Sequence, residues 1–134
     1  METGLFIVSY LVGNEMPGAP LLHLDLMVST PNKEVSGRGV VTQAINPPLN
    51  VVSKVSGDFT YMTVMPKNTH ILVVLTGYPV IKWPIHGGIG PVIPPNLQVR
   101  MVLNEDWQEG IANFTYVDDN GVSHVIDAVP VKKV

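Results

Sequence analysis

From Leu21 to Ser29 the chain repeats with a period of two. Leu22, Leu24, Leu26 and Val28 share one side, while His23, Asp25 and Ser29 take the other. That spacing lays each set on one face of a β-strand and fits no single stripe of a helix. The pattern returns at 97–103, where Leu97, Val99, Met101 and Leu103 align and Gln98 and Arg100 oppose them.

Composition extends this reading to the whole chain. Val (22), Ile (9) and Thr (8) stand against only 4 Ala. Branched Cβ atoms lose rotamer freedom against a helical turn but sit well on a pleated sheet. Twelve Gly and twelve Pro break the apolar runs into short pieces. Strands are expected at 4–12, 20–29, 34–44, 51–64, 68–77, 97–104, 110–118 and 122–131.

The links carry turn chemistry. Asp119-Asn120-Gly121 lies between two strand patterns and reads as a hairpin, with Asn-Gly supplying positive φ. Met65-Pro66-Lys67-Asn68 joins two further strands, Asn46-Pro47-Pro48 separates the third from the fourth, and Gly77-Tyr78-Pro79 is expected to end the fifth. Short links favour sequential antiparallel neighbours. The expected fold is all-β: an eight-stranded antiparallel up-and-down barrel, which removes sheet edges, with a two-sheet sandwich as the alternative. The length of 134 residues fits a single β domain over 1–134.

One segment departs from the alternation. Residues 83–96 hold four prolines and three glycines, yet Trp83, Ile85, Ile89, Val92 and Ile93 keep it apolar. A flexible linker would be polar, so an ordered loop that caps a core or forms an interface is expected.

What the chain lacks narrows its chemistry. With no cysteine it has no disulfide, thiolate metal site or cysteine nucleophile. Its net charge of −3 does not suit nucleic-acid phosphates. No apolar run is long enough for a membrane-spanning helix. Glu2, together with Ser9 and Tyr10 in the first apolar stretch, reads as the start of a strand, not a signal peptide, so a cytoplasmic location is expected. Charged residues are 14% of the chain, against about 25% in ordinary domains. So few charges leave apolar exterior to be covered, and self-association is expected.

Gly57-Asp58-Phe59-Thr60-Tyr61-Met62-Thr63-Val64, Thr69-His70-Ile71 and the run from Trp83-Pro84 through His86-Gly87-Gly88-Ile89-Gly90-Pro91 to Pro94-Pro95 form recognisable signatures, as do the opening Gly4-Leu5-Phe6 and Ser9-Tyr10. They resemble a family of short bacterial proteins known only as a domain of unknown function. The resemblance implies a compact bacterial domain and carries no activity, cofactor or catalytic residue with it.

Candidate site residues follow from local chemistry. His23 and Asp25 project from one strand face about 7 Å apart, a spacing at which a carboxylate can orient an imidazole as an acid–base group. His86-Gly87-Gly88 resembles an oxyanion hole, but no nucleophile elbow accompanies it. Trp83, His86, Gly87, Gly88, Ile89 and Trp107 are the expected contact residues, the tryptophans because they adjoin loops. Asp118, Asp119 and Asn120 could offer oxygens to calcium if Glu105 and Asp106 meet them at one barrel end. The histidines at 23, 70, 86 and 124 lack metal-type spacing, and Phe59, Tyr61, Phe114 and Tyr116 read as core. No cofactor motif and no metal site is expected.

The favoured function is a non-catalytic binding or structural interaction module that forms a homo-oligomer, with a small apolar ligand, a glycan or a protein as its partner. A small acid–base enzyme using His23 with Asp25, or His86, is one alternative. A secreted toxin-like module meeting membranes or glycans is the other.

Overall fold

The computed structural model describes residues 4–44, 49–64, 68–80, 94–118 and 120–134. Eight strands follow in order: β1 (Leu5–Val12), β2 (Leu21–Ser29), β3 (Glu34–Gln43), β4 (Leu49–Val64), β5 (Asn68–Pro79), β6 (Leu97–Asn104), β7 (Glu109–Val117) and β8 (Ser123–Lys133). Each pairs antiparallel with the next, and β8 returns to β1, closing an up-and-down barrel. Closure excludes the sandwich alternative. At the seam Val12, the last residue of β1, meets Val131 near the end of β8, so the strands tilt and stagger strongly around the axis.

The alternation read from sequence places the core. Leu22, Leu24, Leu26 and Val28 of β2 point inward, as do Leu97, Val99, Met101 and Leu103 of β6. Tyr10, Phe59, Phe114, Tyr116 and Trp107 are fully buried inside the barrel. Eight strands enclose a space just wide enough for side chains, and here large ones fill it. The interior is apolar, where that of a lipid-facing barrel is polar.

Two inward glycines show how the sheet curls. At Gly37 a Cβ would overlap the Asp25 carbonyl oxygen of β2, and at Gly57 it would overlap that of Val74 in β5. Neighbouring backbones cross these positions closer than any side chain allows, which lets β3 and β4 bend.

A bulge in β8 provides a further bend. Ala112 pairs with Val129 and Phe114 with Ile126, so Asn113 faces two residues. Ala128 adopts a φ of 53°, and its amide donates to Asn113 Oδ1 at 2.6 Å. The side chain thus replaces the ladder bond that the bulge removes. Pro130 follows two residues later, in a ladder already interrupted.

Strand β5 reaches Pro79, opposite Ser53, rather than stopping at Gly77. Its pairing with β6 ends at Gly77, so the last two residues belong to the β4 ladder alone. The apolar loop at 83–96 falls mostly outside the described residues, which resume at Pro94. The loop's end is pinned at Asn96. Its Oδ1 accepts from buried Ser53 Oγ at 2.7 Å, its amide bonds the Gly77 carbonyl, and its carbonyl receives the Val117 amide.

Candidate binding surface

A filled interior leaves chemistry to the outer face and the two ends. His23 and Asp25 lie on the outer face of β2, both exposed. Asp25 accepts from Ser9 Oγ at 2.7 Å and stands opposite Arg38, while His23 faces Leu11 and Val40 in register. Among the described residues no wall rises beside this surface to hold a substrate or exclude water, which general acid–base work requires.

Trp107 is not the surface contact that its loop position suggested. It is 1% exposed and plugs the barrel end formed by the β2–β3 and β6–β7 turns. The ring packs edge-on against Phe6 at 5.2 Å and Phe59 at 5.1 Å. Its backbone holds a φ of 63°, which turns the side chain inward from a short link. Tyr10 Oη donates to the Trp107 carbonyl at 2.8 Å. Burial pushes the Tyr10 hydroxyl well above its ordinary pKa, and Asp106 pushes the same way.

Glu105 and Asp106 sit at that end too, whereas Asp118 belongs to the β7–β8 turn at the opposite end. The two acidic loops therefore cannot share a calcium ion. Asp118 instead ties its own hairpin. Its Oδ1 accepts the amides of Asn120 and Val122, and its Oδ2 meets His124 Nε2 at 2.8 Å. The His124 bond, then the Val122 amide, holds the carboxyl below the usual carboxylate range. His124 also stacks on Tyr116 at 4.9 Å. Asp119, Trp83, His86, Gly87, Gly88 and Ile89 lie outside the described residues. Among the described residues no three acidic or histidine side chains cluster as a metal site.

Two outer features of the described residues stand out. The first is a groove of about 390 Å³ across β5, β6 and β7, lined by His70, Arg100, Val102, Asn104, Ile111 and Asn113. The second is the lower half of β1. Only Tyr10, Leu11 and Val12 pair with β8, and the Val134 amide bonds the Ser9 carbonyl just below. From Leu5 to Val8 no described strand covers that edge. The Ser9 and Gly13 bonds aim the odd residues' backbone groups toward β8, so Leu5 and Ile7 present theirs to the open side. Their side chains are 67% and 77% exposed, and Met27 extends the patch from β2, opposite Ile7.

A family model for a domain of unknown function, DUF1842, matches residues 3–121. The chain belongs to the DUF1842 family. The matched segment spans β1 to the β7–β8 turn, so it includes the open β1 edge and the groove residues from His70 to Asn113. No curated protein matches the chain.

Sequence reasoning placed Arg100 outside without giving it a role in this DUF1842 barrel. That it faces Asn113 and shares a groove with His70 follows from register across three strands, which leaves no local signal. The Trp107 plug did have one. A large ring in a link between Asn104 and Glu109 is costly to leave in water when a barrel mouth lies beside it.

Proposed function

We propose that this protein is a non-catalytic interaction module that self-associates through the open edge of β1. One observation carries the reading: Leu5 and Ile7 expose apolar side chains, and on the same short stretch their outward ladder groups have no partner among the described residues. An exposed apolar edge is a template for another extended chain. A second copy suits it by symmetry. Antiparallel pairing of Leu5 with Ile7 of the second copy, and of Ile7 with its Leu5, satisfies every outward ladder group at once.

The low charge content supports this reading, since an apolar patch joined to a sheet edge accounts for part of the exterior. The filled interior supports it as well, because partners must then be met from outside.

Sedimentation velocity of the full chain tests the proposal. The wild type should sediment as a dimer and Ile7→Lys as a monomer with an unchanged far-UV circular dichroism spectrum. A wild-type monomer at every concentration overturns it.

A further inference from the structure

We infer that the groove across β5, β6 and β7 binds a small aliphatic acid carrying a second polar group at its far end. The inference goes beyond self-association. The nearest wall of the groove, β7, is separated from β1 by β8, so pairing through β1 leaves the groove open.

Register defines the shape of the site. Arg100 faces Asn113 across the β6–β7 ladder, and Asn104 faces His70 across the β5–β6 ladder. Val102 lies between them on β6, opposite Ile111. The groove is therefore polar at both ends and apolar in the middle. Four residues of strand separate the ends, about 13 Å.

Each part has unmet capacity. No carboxylate of the described residues lies within ion-pair distance of Arg100, although Asp127 borders the adjoining groove that shares Arg100 and Asn113. A planar guanidinium takes a carboxylate through two parallel hydrogen bonds. Ile111 is 61% exposed, an apolar floor with nothing described upon it. At the far end, His70 Nδ1 is buried without a hydrogen-bond partner among the described residues. A buried ring nitrogen left alone is unfavourable, and a turn of the ring about χ2 toward the groove lets a ligand hydroxyl meet it. Asn113 commits its Oδ1 to the bulge, which leaves its amide donors for the acid.

The test is a titration of the isotope-labelled full chain with 8-hydroxyoctanoate, followed by amide chemical shifts. The expected result is saturable shifts confined to β5–β7, weakened roughly tenfold or more by Arg100→Gln and less severely by His70→Phe. The matching amine, 8-hydroxyoctylamine, should not bind the groove, because Arg100 repels its ammonium. Unchanged affinity in Arg100→Gln, comparable binding of the amine, or shifts spread over the whole barrel would each overturn the inference. Sedimentation of the same samples keeps this result separate from the β1 proposal, since ligand binding should leave the oligomeric state unchanged.

Discussion

Tyr10 and Trp107 lie 97 residues apart in sequence, and the tyrosine hydroxyl donates to the tryptophan carbonyl inside the barrel at 2.8 Å. The bond fastens the first strand to the turn that carries the plug. Tyr10→Phe keeps the ring and leaves the carbonyl without its donor, so unfolding should cost about 1–3 kcal/mol less. Burial of that hydroxyl, with Asp106 acting the same way, also sets an alkaline limit. Because the folded pKa lies above the unfolded one, Tyr10 contributes fully below the ordinary tyrosine range and progressively less as pH rises above about 10. Urea unfolding of both proteins across that range should show a steeper alkaline decline in the wild type than in Tyr10→Phe.

Asp118 gives the opposite sign at the other end of the barrel. Its folded pKa lies below the unfolded value, so its stabilisation is present above the usual carboxylate range and fades as pH falls through the folded value. Asp118→Asn should lower the melting midpoint at neutral pH and flatten its acid decline. Parallel declines in the two proteins between about pH 5 and pH 2 would contradict this role.

Gly57 tests how the sheet curls. The Val74 carbonyl occupies the space a Cβ would need, so Gly57→Ala should destabilise by about 1–3 kcal/mol, measured by chemical denaturation. Val74 itself is exposed on β5, and Val74→Thr should leave stability nearly unchanged.

The sequence made the barrel legible because alternation is written locally. Leu22 to Val28 state which face is inner, and the branched residues and turn signals mark where each strand begins and ends. Several strand ends shifted by one residue, and the two-residue extensions, at Leu49, Pro79 and Lys133, came where pairing to one neighbour outlasted pairing to the other. Trp107 misled because its position in a link looked exposed, while its left-handed backbone turns the ring into the core. The Arg100 groove and the open β1 edge were not readable. Both depend on register, and the edge depends on the stagger that leaves Leu5 to Val8 beyond the reach of β8.

Site-resolved amide hydrogen exchange on β1 tests self-association most directly. Phe6 and Val8 direct their amides to β2 and should be protected under all conditions. Leu5 and Ile7 direct theirs to the open side; they should be protected in concentrated wild-type protein and exchange freely on dilution or in Ile7→Lys. Equal, rapid exchange of Leu5 and Ile7 at every concentration would contradict the paired β1 edge.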